Sequence, residues 1–73
     1  MSEQIHYEVT EIAPGTDHHT THGNVYLDRK DAIEAARALR NATGHETCVW
    51  KHQDCGIGHA DYHGIIWNFE ARR

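Results

Sequence analysis

The most constraining feature of this sequence is a single amphipathic helix between two groups of strand-like segments. Its apolar positions recur at the spacing of one helical face, and they are Ala32, Ile33, Ala36 and Leu39. Asp28 suits the N-cap position, and Gly44 lies where a helix commonly ends in a left-handed residue. We therefore predict a helix over residues 28–42. In a chain of 73 residues, one such helix can cover one face of a small sheet.

The segments on both sides of this helix predict an antiparallel sheet. Between Gln4 and Ile12 apolar and polar residues alternate, which is typical of a strand with one buried face. Further strands are expected at residues 25–27, 46–52 and 62–70. The predicted fold is a two-layer α+β domain of order β-β-α-β-β, with one helix packed on a roughly four-stranded antiparallel sheet. We expect one domain over residues 1–73.

The sequence leaves open which face of the third strand is buried. If Trp50 is buried, Val49 and Ile66 lie on the uncovered face; if Val49 is buried, Trp50 is exposed. In the fourth strand, Ile65 and Trp67 share one face with Phe69, and we expect Trp67 to pack in the core. In either case some apolar surface remains on the uncovered side of the sheet.

Residues 14–24 carry no apolar side chain and contain His18, His19 and His22. Pro14 and Gly15 interrupt the first strand, because proline lacks an amide donor and glycine tolerates positive φ. We predict a mobile, histidine-rich segment here, as a long loop or as the tip of an open hairpin. Its glycine and threonines disfavour a helix, so these histidines are not expected to form a dedicated metal site.

Charge and composition narrow the class of protein. The formal charge is −4 with histidine neutral, which is the wrong sign for binding nucleic acid through its phosphates. No apolar run approaches the roughly 20 residues of a membrane span, and no targeting segment is evident. The chain has two cysteines, Cys48 and Cys55, and we expect both to be reduced thiols and not a disulfide. We expect a cytoplasmic monomer or homodimer that binds neither nucleic acid nor membrane.

One segment contains the side chains of a metal site. Its four candidate ligands surround a glycine-containing turn and can supply nitrogen or thiolate to Zn²⁺; they are His52, Cys55, His59 and His63. Their spacing matches none of the standard zinc modules, and no second Cys-x-x-Cys half is present. A zinc-binding module is therefore the alternative hypothesis, beside the interpretation of this segment as a solvated or hydrogen-bonded loop without a cofactor.

Catalysis is not expected of this chain. A cysteine with a nearby histidine could imitate a thiol nucleophile and its base, but such chemistry requires a pocket. A domain with one helix seldom forms one, and no nucleophile turn, phosphate loop or dinucleotide fingerprint is present. Cys48, flanked by Thr47 and Val49 within a strand, is expected to be a small core residue.

The order of elements is a short hairpin, the helical segment LDRKDAIEAARAL at residues 27–39, and two closing strands. This layout resembles that of many small proteins encoded by phages and mobile elements, among them several anti-CRISPR proteins. The resemblance covers most of the chain as an arrangement of elements, and no motif carries functional residues over. It implies a non-catalytic protein-binding domain, an acidic inhibitor that docks on basic patches of a nucleic-acid-processing complex. The candidate partner-binding residues are Glu8, Glu11, Asp17, Trp50, Asp54, Asp61 and Ile66.

Overall fold

The computed structural model describes residues 4–54 and 62–72. Its elements are β1 (Gln4–Ile12), β2 (His19–Tyr26), α1 (Arg29–Thr43), β3 (Glu46–Asp54) and β4 (Tyr62–Phe69). The strands form one antiparallel sheet in the order β2-β1-β3-β4, and α1 packs on one face of it. The predicted α+β fold and its order of elements are confirmed. The sheet face opposite α1 is called the open face below.

The helix begins and ends at the signals that the sequence carries. Asp28 is the N-cap, and its side chain accepts a hydrogen bond from the backbone N–H of Lys30 at 2.9 Å. Gly44 ends the helix with φ at 76°, and its N–H donates to the carbonyl oxygen of Arg40 at 2.7 Å. Among the described residues, no helix is long and apolar enough to cross a membrane.

The core lies between α1 and the two central strands, β1 and β3. Its buried residues are Val9, Ala32, Ala36 and Val49, with Ile33 and Leu39 packed against them. Because two of these residues are alanines, the helix approaches the sheet closely. Thr47 is also buried, and its hydroxyl donates to the carbonyl oxygen of Ala36 at 2.9 Å, which joins β3 to α1. Burial of Val49 decides the open question, so Trp50 lies on the open face.

The second strand is longer than predicted. Residues 14–24 were expected to form a long loop or the tip of an open hairpin before a strand at 25–27, but β2 begins at His19. Ile12 pairs with His19 at one end of the hairpin, and Tyr7 pairs with Tyr26 at the other. Pairing with β1 therefore makes a strand of residues that have no apolar alternation of their own. Only residues 13–18 lie outside regular structure between the two strands.

A bulge in β4 corrects the predicted faces of that strand. Trp50 pairs with Ile65, whereas the preceding Val49 pairs with Trp67, so Ile66 is an extra residue. Ile65 therefore lies on the open face with 46% of its surface exposed, and Trp67 lies on the helix side with 43% exposed. The expectation that Trp67 packs in the core was wrong. Ile66 packs against the core instead of lying on the open face, so it does not belong to a partner-binding surface there.

Candidate metal centre

The register of the sheet places histidines from three strands in one row across the open face. His6 of β1 pairs with His52 of β3, and His52 pairs with His63 of β4. Residues that are directly opposite in an antiparallel sheet project to the same face, so the three imidazoles are neighbours. We call them the histidine row. Glu8 projects to the same face, because it follows His6 by two residues.

The rings of the histidine row are in contact. The centroids of His6 and His52 lie 4.7 Å apart with nearly parallel planes, and those of His52 and His63 lie 4.3 Å apart with planes tilted by 31°. Trp50 continues the series, because its ring centroid lies 4.9 Å from that of His63. The row therefore ends on an indole and forms an aromatic strip across three strands.

Glu8 and two histidines of this row form a group of side chains that could hold a metal ion. Its Oε2 lies 3.0 Å from Nε2 of His52, and its Oε1 lies 3.8 Å from Nε2 of His6. The three residues offer one ligand atom each, and these atoms all lie within 4.8 Å of one another. We call His6, Glu8 and His52 the open cluster. All three side chains are partly buried, with 27% of His52 exposed.

One buried ring nitrogen of the open cluster has no hydrogen-bond partner among the described residues. Nε2 of His52 is buried and makes no hydrogen bond within the described part of the chain. It is close to the Glu8 carboxylate, but the two groups are not aligned for an N–H to be donated between them. A buried ring nitrogen without a partner is costly, because it has lost its water and gained nothing in return. A cation between Nε2 and the carboxylate would satisfy both groups.

The spacing of these donors suits a metal ion. With metal–ligand bonds of about 2.0–2.2 Å and angles of about 90–109°, two ligand atoms on one ion lie about 2.8–3.6 Å apart. The His52–Glu8 separation of 3.0 Å falls in that range, whereas the His6–Glu8 separation of 3.8 Å does not, so the His6 ring must turn out of its parallel stack on His52. The residues of the open cluster therefore fit a metal after a side-chain adjustment, without movement of the strands.

Thr10 supports the part of the open face next to this cluster. Nε1 of Trp50 donates to Oγ1 of Thr10 at 2.9 Å, and the same hydroxyl lies 2.9 Å from Nδ1 of His19. Because an indole N–H only donates, the hydroxyl of Thr10 accepts that bond, and it is also hydrogen-bonded to Nδ1 of His19. Thr10 is buried, so this bonded chain fixes the Trp50 ring that ends the histidine row.

A second group of two histidines and a glutamate lies on the helix side of the sheet. Nε2 of His22 donates to Oε1 of Glu11 at 3.0 Å, and Nδ1 of His45 donates to Oε2 of the same carboxylate. We call Glu11, His22 and His45 the bonded cluster. The pKa of Glu11 is held below its ordinary value, chiefly by the hydrogen bond from His45 and also by that from His22, while burial acts in the opposite direction.

The predicted zinc set is only partly assessed by this structure. His52 and His63 are brought together by the β3–β4 pairing. Cys55 and His59 lie outside the described residues. The sequence prediction did not assign His6 or Glu8 as metal ligands, although Glu8 was predicted to bind a partner; both belong to the cluster with metal-ligand geometry. The alternation in β1 already placed these two on one face, but nothing local in the sequence indicates that His6 is paired with His52.

The predicted partner-binding residues do not form one surface. Glu8 and Trp50 are opposite each other on the open face. Glu11 was predicted to bind a partner, and its carboxylate is hydrogen-bonded to two histidines on the other face. Asp17 is exposed in the segment between β1 and β2, and Asp54 is the last residue of β3. Asp61 lies outside the described residues.

Two further features are candidate sites of chemistry: the thiol of Cys48 and a groove beside α1. Cys48 is buried, as expected, and burial raises the pKa of its thiol, so this cysteine is not an activated nucleophile. An open groove of about 480 Å³ runs along the first half of α1. The groove is lined by Asp28, Arg29, Lys30, Ile33, Glu34 and Arg37, so the Cys–His pair considered from the sequence does not lie there.

Comparisons of this chain with protein-family models, with curated protein sequences and with solved structures found no match. The proposed function therefore rests on the geometry and chemistry of the site.

Proposed function

We propose that this domain binds one divalent transition-metal ion at the open cluster on its uncovered sheet face. The observation that carries the proposal is Nε2 of His52, which is buried without a hydrogen bond 3.0 Å from the Glu8 carboxylate. His6 adds a second imidazole from the neighbouring strand. Two histidines and one carboxylate are a recurrent ligand set for metals in proteins.

The donor set favours Zn²⁺ among the common divalent metals. Imidazole nitrogen suits zinc, copper, nickel and iron, whereas magnesium and calcium prefer sites made of oxygen ligands. Zinc accepts two histidines and a glutamate and imposes no geometry of its own, so it tolerates the adjustment that the His6 ring requires. The negative charge of Glu8 offsets part of the charge of the ion. A bound ion would also cross-link β1 to β3, the two central strands.

Metal binding can be tested by native mass spectrometry and isothermal titration calorimetry on protein prepared without a histidine tag. We expect one Zn²⁺ per chain in the wild type. The variant His52→Ala should lose stoichiometric binding, because His52 supplies the nitrogen closest to Glu8. His18→Ala is the matched control, since it removes an exposed histidine outside the sheet and should bind as the wild type does.

Two outcomes would contradict the proposal. The first is wild-type protein that binds no metal in either measurement. The second is equal binding by the His52→Ala and His18→Ala variants, which would show that any histidine-rich surface suffices. Circular dichroism of each variant checks that the sheet is retained.

Protein binding on the open face, predicted from the sequence, is a second candidate. It is supported by Val25 and Ile65, two apolar residues on this face that are 58% and 46% exposed. Ile65→Lys should prevent capture of a partner from cells of the source, whereas Trp67→Lys, on the opposite face of the same strand, should not. Equal capture by both variants would count against the open face.

A further inference from the structure

His63 occupies the position next to the open cluster where an additional ligand would be needed. It lies directly opposite His52 on β4, on the side of His52 away from His6. Its ring centroid is 4.3 Å from that of His52. The side chain is exposed, so its ring can turn without disturbing the core.

The open cluster supplies three ligands, and zinc in structural sites takes four, almost always in tetrahedral geometry. The fourth position of such an ion is filled by a further side chain, a water molecule or an exogenous ligand. Within the described part of the chain, the imidazole of His63 is the donor group that stacks directly on a member of the open cluster from the neighbouring strand. Its ring is next to that of His52 and is exposed, but its nitrogens do not belong to the group of ligand atoms within 4.8 Å of one another, so the ring must turn to reach this position.

We infer that His63 is the fourth ligand and that it turns away from its contact with Trp50 when the metal binds. This inference rests on the proposed metal site. Stacked imidazoles cannot both direct an in-plane lone pair at one ion, so His6 and His63 must each turn relative to His52. His63 is free to do so, whereas His52 is half-buried and held between two rings. The ion would then link β1, β3 and β4.

Movement of His63 would leave a trace at Trp50. The two rings are in contact in the structure, with centroids 4.9 Å apart. Trp50 itself is held by its hydrogen bond to Thr10, so it should remain in place when His63 leaves. Metal binding should therefore change the environment of the Trp50 indole, and fluorescence can measure that change.

Cobalt titration tests whether His63 is a ligand, because replacement of an imidazole by water changes the visible absorption of bound Co²⁺ and lowers its affinity. Untagged wild type should bind one Co²⁺ with strong absorption. His63→Ala and His63→Gln should still bind Co²⁺, with a changed visible spectrum and an affinity lower by about tenfold or more. The two variants differ in polarity, so agreement between them excludes a folding defect of either one.

A second measurement uses Zn²⁺, which does not quench fluorescence. The variant Trp67→Phe leaves Trp50 as the single tryptophan of the chain. Zn²⁺ should change its emission when His63 is present and have no effect when His63→Ala is added to the same background. An equal change in both proteins would overturn the movement of His63.

The other outcomes separate this inference from the function on which it rests. Strong cobalt absorption that persists unchanged in both His63 variants would overturn the role of His63 and leave the metal site intact. A near-ultraviolet band of thiolate-to-cobalt charge transfer would assign the fourth position to a cysteine and would also overturn it. Wild-type protein that binds no Co²⁺ would overturn the metal site and the role of His63 together.

Discussion

The two faces of β1 carry clusters of the same composition and different chemistry. The open cluster and the bonded cluster each contain one glutamate of β1 and two histidines. In the bonded cluster, each oxygen of Glu11 accepts a hydrogen bond from a different imidazole. In the open cluster, Glu8 lies against Nε2 of His52 without a hydrogen bond between them.

The difference lies in how the imidazoles are oriented. The bonded cluster directs one histidine at each oxygen of the carboxylate, so both oxygens have a hydrogen-bond partner and the group stabilises the fold. The open cluster stacks its two histidines in parallel on one side of Glu8, which leaves a nitrogen unsatisfied. Composition alone therefore does not make a metal site, and the orientation of the donors decides between a structural group and a binding site.

The largest expected effect comes from the same substitution made once in each cluster. Glu8→Gln removes a charged ligand and should lower zinc affinity by about 10–100-fold or more, since loss of groups that merely orient a ligand already costs that much. Glu11→Gln should leave zinc affinity within a factor of about two, because the bonded cluster lies on the other face. Isothermal titration calorimetry of both variants measures the contrast. Equal losses in affinity would mean that the two clusters are not independent.

For the stability of the metal-free protein, we expect Glu11→Gln to have the larger effect and Glu8→Gln the smaller one. Glu11→Gln weakens two charge-assisted hydrogen bonds at a largely buried carboxylate, so we expect a loss of about 1–3 kcal/mol in the free energy of unfolding. Glu8→Gln should change it by no more than about 0.5 kcal/mol, as for most surface substitutions. Urea unfolding monitored by circular dichroism tests this. A larger loss in Glu8→Gln would show that the open cluster is a stabilising group.

The smallest expected effect is a dependence on pH of the difference in unfolding free energy between wild type and Glu11→Gln. Glu11 has its pKa lowered from 4.5 in the folded state, so its charge stabilises the fold fully above that value. The contribution is lost as the pH falls from 4.5 through the lowered folded value. The gap in unfolding free energy between wild type and Glu11→Gln should therefore be constant above about pH 5 and shrink in more acidic solution. A gap that grows on acidification would assign the stabilisation to another group.

Much of the fold could be predicted because its signals are local. The alternation in β1 and the caps at Asp28 and Gly44 act through neighbouring residues, and each element formed where these signals lie. The first part of β2 was missed because residues 19–24 show no alternation of polar and apolar side chains, and their pairing with β1 makes them a strand. The faces of β4 were wrong because the bulge at Ile66 adds one residue, which a period of two does not anticipate.

The candidate site could be predicted only in part, for a related reason. His52 and His63 were singled out because they are close in sequence across a turn. His6 and Glu8 reach them through the pairing of β1 with β3, which depends on strand order. A sequence with the same residues and a different strand order would carry the same histidines without the cluster.

The central position of β1 has a consequence for how the protein reaches its native state. Contacts between segments distant in sequence form late and slowly, because a long stretch of chain must first be closed into a loop. The ligands at positions 6 and 52 meet only after β1 has joined β3, so neither hairpin alone can hold the ion. The ion would bind only the folded chain. A higher concentration of the ion would therefore raise the fraction of molecules in which the sheet is complete.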